Sequence, residues 1–408
     1  MLNALWAALV LVAACVGLAN SFSDGGATVN AMGEALFTSA KTAVELAIGL
    51  ISALVLWLGV FEIALAAGAV TWLARVLSPV LCRLMPEVPR NHPALASIGI
   101  NASMSMLGID NGALPSGLKA MEELETLNQE PGKASRAQQM FLVYMTTSVT
   151  IFPVSILGYR LQAGAAHPAD VFVPLLLASY IGLFAGLAYM AVVQKIKVWD
   201  PVLLGGAVLF VGVLGSMAWL MATLSGPVIS HAVTLMGNAS LLGAVVLFVG
   251  LAAWRGVPVY DTFLQGASKG FAMAVTLIPY LVGMLMAIGL LRASGAFALL
   301  QHGLEWVAAL LGLDARWIAA VPQGILKSFS GGGARAMMLD IFKALGPDTF
   351  AGHLSAIVQG ASDTTFFILA ACAAAAKLKN LGHAVMGAVV ADVASFIAAV
   401  VLAQWFFG

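Results

Sequence analysis

Lys327, Ser328 and Ser330 lead into three consecutive glycines, Gly331 to Gly333, with Arg335 just beyond. That order of residue types suits binding better than catalysis. Glycines at a helix start leave backbone N–H groups free, and a helix N-terminus aims them at an anionic or carbonyl group. The same glycines equally allow a tight bend with close helix contact. The run lacks the Lys-Ser/Thr ending of a phosphate loop, so nucleotide hydrolysis is not expected. A cation such as Lys327 or Arg335 in apolar sequence either faces a cavity or partner or snorkels to headgroups along its apolar stem.

Carboxylates come from Asp110-Asn111 in IDNGALPSG and from Asp363 in GASDTT. Buried, either could coordinate Na⁺, carry a proton, or pair with Lys327 or Arg335. Hydroxyls cluster at Thr146, Thr147, Ser148 and Thr150, and again at Ser362, Thr364 and Thr365. They could ligate Na⁺ or a polar solute; the bland alternative is a bond back to their own helix. Asn101, Ser103 and Ser105 recur at two-residue spacing, and Gln323 and Gln359 precede the second-half clusters. The candidate solute site is thus Asn101, Ser103, Asp110, Asn111, Gln323, Lys327, Ser328, Ser330, Gly332, Gln359, Asp363 and Thr364. The candidate ion-coupling site is Thr146, Thr147, Ser148, Thr150, Ser362, Asp363 and Thr365. No cofactor is expected beyond Na⁺ or H⁺ as a coupling ion. The histidines show no HxxxH spacing and the three cysteines no CxxC, so no metal site is expected. No catalytic constellation is legible, and a non-enzyme is expected.

The elements that must position these groups are membrane helices. Of 408 residues, 61% are hydrophobic and only 9% charged, against about 25% charged in soluble domains. The lipid bilayer is the expected partner; a net charge of zero without basic runs argues against nucleic acid. The expected fold is an all-α polytopic membrane protein with about nine full spans and two broken, re-entrant hairpins. The spans are Leu2–Ala19, Val44–Leu73, Met140–Tyr159, Val171–Val193, Val202–Leu220, Ile229–Ala253, Phe271–Leu291, Leu354–Ala376 and Ala384–Phe407. The broken segments are Ala94–Ser116 and Ala315–Leu345, whose Gly/Ser interruptions leave pieces shorter than the ~20 residues that cross a bilayer. Irregular backbone at that depth must line a cavity or be buried in protein. With the N-terminus cytoplasmic, twelve of the 19 Lys and Arg fall in cytoplasmic loops, favouring N-in and C-out. Ser116 reads as the N-cap of an amphipathic helix over Leu118, Met121, Leu124 and Leu127. The stretch Val171–Ala253 reads as scaffold or the face of a homo-oligomer.

An internal repeat organises the whole. TSAKTAVELAIGL answers GASKGFAMAVTLI, with Lys41 matching Lys269. Ala67-Gly68 then answers Ser294-Gly295, IDNGALPSG answers FSGGGARAM, and MTTSVT answers GASDTT. The copies, 38–160 and 266–379, begin on opposite sides and are inverted, an arrangement that puts a solute site at their interface near the midplane.

The first half, with KTAVELAIGLISALVLWLG, MPEVPRNHPALASIGINASMSMLGIDNGALPSGLKAMEEL and MTTSVTIFP, resembles bacterial spore maturation protein A. The second, with KGFAMAVTLIPYLVGMLMAIGLLRASGA, SFSGGGARAMMLDIFKALGPDTF and GASDTTFFILA, resembles spore maturation protein B. The chain looks like a fusion of the two, with an A-like half at 1–200 and a B-like half at 201–408. Both families carry the nucleoside-recognition, or gate, domain, which concentrative nucleoside transporters and the membrane part of ferrous iron transporter B share. The resemblance implies a bacterial inner-membrane protein and a permease for a small polar solute, nucleoside-like or anionic. The alternative it implies is a non-transporting protein that supports envelope or spore maturation through protein partners.

Overall fold

The computed structural model describes residues 2–147, 149–196, 199–223, 226–310 and 314–408, and the backbone alone at 2–5, 110–112, 307 and most of 209–231. In chain order the helices are α1 Leu2–Asp24, α2 Ala27–Ala66, α3 Ala69–Leu84, α4 Pro93–Leu107, α5 Asp110–Glu125, α6 Arg136–Thr146, α7 Val154–Gln162 and α8 Phe172–Val193. They continue with α9 Pro201–Thr223, α10 Gly226–Trp254, α11 Val259–Ala293, α12 Ala296–Leu310, α13 Val321–Phe329, α14 Gly331–Leu345, α15 Phe350–Gly360, α16 Thr365–Ala375 and α17 Ala384–Phe407. No strand forms among the described residues. Seven segments are long and apolar enough to cross a membrane: Trp6–Asp24, Ala27–Ala66, Pro168–Val193, Ala232–Trp254, Val259–Ala293, Phe350–Ala375 and Ala384–Phe407. The chain is therefore an all-α membrane protein.

One series of elements runs twice. A long helix (α2, 40 residues; α11, 35) is followed by an amphipathic one (α3, 16; α12, 15). Next comes a hairpin of two short helices, α4–α5 and then α13–α14 with a 3₁₀ turn at Ala315–Ala320 before it. A segment cut into two short helices follows, α6 and α7 of 11 and 9 residues, then α15 and α16 of 11 each. A plain apolar helix, α8 or α17, closes each series. Each long helix ends at a left-handed glycine, Gly68 (φ 72°) and Gly295 (φ 83°). In both places a distant polar side chain donates to the preceding carbonyl: Arg255 to Ala67 O and Asn20 to Ser294 O.

The two series are joined helix to counterpart. Gly266 lies against Leu58 and Gly59, Gly270 against Leu54 and Val55, and Gly289 against Ser39. Numbers rise along α2 as they fall along α11, so the pair is antiparallel. A Cβ at Gly270 would sit 2.5 Å from the Leu54 carbonyl oxygen, so the absent side chain is what permits the close approach. On the other flank Gly182 meets Ser395 and Gly186 meets Ala391, which makes α8 and α17 antiparallel too.

Four expectations need correction. Met140–Tyr159 is not continuous: Pro153 lacks the N–H needed for helix bonding, and α6 stops at Thr146. Leu354–Ala376 is likewise cut after Gly360. Val44–Leu73 overruns the Gly68 turn, since α2 ends at Ala66. Ser116 caps nothing; α5 already starts at Asp110, and the Ser116 hydroxyl donates to Ala113 O. Within that helix Pro115 cannot donate to the Asn111 carbonyl, while Met121 and Leu124 are core residues. Within Val171–Ala253, α8 is packed along α17 and closes the first series. Val202–Leu220 coincides with α9, much of which lies outside the described side chains.

Candidate functional site

The two cut segments meet at their breaks. The backbone N–H of Asp363 donates to the carbonyl of Thr146 at 3.0 Å, so GASDTT and MTTSVT touch. Beside this contact lies a cavity of about 270 Å³. Its walls come from both hairpins (Asn101, Ser105, Gly108 and Ala113; Lys327, Gly331 and Arg335) and from both cut segments (Thr150, Ser155 and Tyr159; Gln359, Ser362, Asp363, Thr364 and Phe367). The irregular backbone at these breaks is thus buried in protein or turned to a cavity, which its unpaired polar groups require in an apolar setting.

Local chemistry explains how each piece is held. His92 caps α4 through Ala94 N, with Pro93 at the first helical position, and left-handed Gly108 ends it. In the second hairpin Ser330 is extended backbone, and its hydroxyl accepts from Gly333 N at 3.0 Å. That cap starts α14 with Gly331 on the cavity wall, where a Cβ would approach Thr364 Oγ1 to 2.5 Å. The Arg335 guanidinium lies 5.5 Å over the Tyr159 ring, a cation–π contact from α14 to α7. Asn101 is 1% exposed; its Nδ2 donates to Ala113 O at 2.7 Å, bracing the first hairpin, while its Oδ1 is buried without a partner.

The candidate residues sort by environment. Asn101, Thr150, Lys327, Gln359, Ser362, Asp363 and Thr364 line the cavity. Several others are occupied structurally. Ser103 donates to Gly99 O, Thr146 to Val143 O, and Thr147 to Val143 O and Tyr144 O. Gln323, 0% exposed, is held by Ser355 O, Ser355 Oγ and Gln359 Oε1. Ser330 is the cap just described, and a side chain at Gly332 would meet nothing within 4 Å. Ser148 lies outside the described residues, as do the side chains of Asp110 and Asn111.

Lys327 is 5% exposed, and its ammonium donates to the Val358 carbonyl. Two carboxylates act on it, Asp392 and Asp363. Asp392, on α17, is a residue that motif reading missed. It accepts from Ser328 Oγ at 2.9 Å. The signal was present: it is a lone carboxylate in a 24-residue apolar helix, which in a membrane marks function or a partner.

On one flank of the cavity a second charged cluster ties the halves together. Arg160, fully buried, bonds Asp170 at 2.9 Å and Asp348 at 3.0 Å, while His353 Nε2 sits 2.9 Å from Asp170. The three carboxylate and imidazole groups are close enough to hold a metal. However, the guanidinium already bridges the two carboxylates, so the cluster reads as an ion-pair staple.

Comparison with known proteins adds the lineage. Spore maturation protein A of Bacillus subtilis (strain 168) is 34% identical over 181 residues, 44% of this chain and 89% of that protein. Spore maturation protein B of the same organism is 34% identical over 152 residues, 37% of this chain and 84% of that protein. The chain belongs to the spore maturation protein family. Matching most of both proteins, it is consistent with a fusion of A and B. No protein-family model and no solved structure matches the chain. For this spore maturation family member the cavity between the two helix series is the place where polar side chains from both converge.

Proposed function

We propose that the chain is a secondary transporter or permease for a small polar solute, bound in the cavity between two inverted repeats. One observation carries this reading: two cut helices and two short hairpins, from both halves, turn their polar groups to a single cavity. The antiparallel pairing of α2 with α11 and of α8 with α17 supports the inversion, and hence a site at the repeat interface. Nine crossing segments result, with α6–α7 and α15–α16 discontinuous and the hairpins re-entrant. A cavity of about 270 Å³ sits just under the usual small-ligand range of about 300–1,000 Å³. It suits a solute of amino-acid to nucleoside size. Two cations, one carboxylate and the unpartnered Asn101 Oδ1 favour a solute with an anionic group and a hydrogen-bond donor.

The loops support a sidedness within this proposal. Loop 128–135 bonds the 377–383 loop through Ala134 N to Asn380 O, and Arg83 pairs with Asp200 at 2.5 Å. Those basic loops form the cytoplasmic face of a bacterial inner membrane, with the N-terminus in and the C-terminus out. The Arg160 staple lies on the outer face.

A thermal-shift screen of the purified chain against nucleosides, amino acids and carboxylates, with and without Na⁺, tests the proposal. A saturable stabilisation is expected for one class, lost in Arg335→Ala and Asp363→Asn. Binding that survives both substitutions together with Asn101→Ala would sink the assignment of the cavity. The relatives' names favour a second reading, a non-transporting protein acting in envelope or spore maturation. A copurifying protein partner and no solute-dependent shift would support it.

A further inference from the structure

Adjoining Lys327 is a second and much smaller chamber of about 20 Å³, room for one water-sized occupant. Its wall includes Lys327, Ser328, Val358, Ser362 and Asp392, and Lys327 and Ser362 also line the solute cavity. Asp392 holds Ser328 Oγ on one carboxylate oxygen. The other, Oδ1, is buried with no hydrogen-bond partner. The hydroxyls of Thr365 and Ser362 face that carboxylate. Thr365 is 0% exposed, and its Oγ1 too is buried without a partner. The Thr365 hydroxyl is close enough to act on the Asp392 carboxylate yet has no contact within hydrogen-bond distance, and buried oxygens so placed are costly unless something bridges the gap.

We propose that Asp392, Thr365, Ser362 and Ser328 form a Na⁺ site that communicates with the solute cavity through Lys327. The inference rests on the permease reading and names its coupling site. The donor chemistry selects the ion. All the oxygens are hard, which disfavours transition metals, and a single carboxylate with an ammonium nearby is too little negative charge for a divalent cation. The cations Lys327 and Arg335 match the carboxylates Asp363 and Asp392 one for one, so a bound Na⁺ would leave one positive charge for an anionic solute to offset. One of the three ammonium N–H groups of Lys327 goes to Val358 O; Asp363 has Lys327 and Arg335 acting on it, and Asp392 has Lys327. A monovalent cation at Asp392 would free the ammonium to favour Asp363, on the solute side.

The test is ²²Na⁺ equilibrium binding to the purified full chain, alongside thermal melts in NaCl, KCl and choline chloride at equal ionic strength. One saturable Na⁺ per chain is expected, not displaced by K⁺ or choline. Asp392→Asn and Thr365→Val should each weaken it about tenfold or more, as loss of a charge-assisted contact does. Thr365→Ser, which keeps the hydroxyl, should bind as wild type and guards against a folding defect. No Na⁺-specific binding, or stabilisation by lowered pH alone, overturns the proposal, as does unchanged binding in Asp392→Asn. Solute-dependent shifts measured in the same samples separate the outcomes, because solute binding that persists without Na⁺ binding sinks only the ion site.

Discussion

Lys327→Met keeps an unbranched side chain of similar length but removes the ammonium that Asp363 and Asp392 share. The Val358 carbonyl then loses its donor, and two carboxylates facing a buried position lose their common cation. Removing one partner from a buried charge set costs about 3–5 kcal/mol, and the adjoining cavity admits water, so about 3 kcal/mol is expected here. Asp392→Asn in the same chain removes one of the stranded charges and should restore about 1 kcal/mol, a coupling typical of contacting residues. Lys327→Arg keeps the charge and should lose less than Lys327→Met. The assay is equilibrium unfolding of the full chain in mixed micelles, followed by tryptophan fluorescence, for the wild type, the singles and the double. A Lys327→Met loss under about 0.5 kcal/mol, or a double variant at the sum of its singles, would refute the reasoning, because ordinary surface changes stay within that range.

Gly270→Leu should push α2 and α11 apart, since even a Cβ meets the Leu54 carbonyl; about 1–3 kcal/mol of overpacking should appear as a lower melting temperature, with Gly243→Leu, in open space, as the neutral control. Arg160→Gln should cost about 3–5 kcal/mol by stranding Asp170, whereas Asp348→Asn should cost under about 1 kcal/mol because that carboxylate is 41% exposed. The Asp200 carboxyl is held below its ordinary range, first by the Val202 backbone N–H and then by Arg83. A depressed carboxyl stabilises above its unfolded pKa and ceases to as pH falls through its folded pKa. The melting-temperature gap between wild type and Asp200→Asn should therefore be open near neutral pH and close on acidification below the ordinary carboxylate range; a gap that widens in acid would contradict the assignment.

Much of this architecture is legible from residue types. The Gly/Ser interruption at Ser330 to Gly333 is a local backbone device and reads directly from sequence; the αL turn at Gly68 does not, because apolar length carried the span Val44–Leu73 through it. MTTSVT and GASDTT both mark breaks, and their freed backbone groups meet through Asp363 N and Thr146 O. Other features depended on partners remote in sequence. Thr147 and Ser103 look like ligands by type, but their hydroxyls are satisfied by their own helices. Gln323 is filled by Ser355, 32 residues away. Pro153 was visible in Met140–Tyr159, yet apolar length alone made that segment read as one span. Asp392 was passed over because no motif surrounds it. What gives it a role is the approach of α17 to α13 and Ser328, which no spacing rule along one helix reveals.

The account stands or falls on whether the convergent breaks enclose a solute-accessible cavity. Single cysteines placed at Thr150 and Gln359, in a chain with Cys15, Cys82 and Cys372 changed to Ala, should react with a membrane-impermeant thiol reagent in sealed vesicles of at least one orientation, and should be protected by the solute that stabilises the protein. Absence of reaction in both orientations, with lipid-soluble reagents labelling the same positions freely, would contradict it.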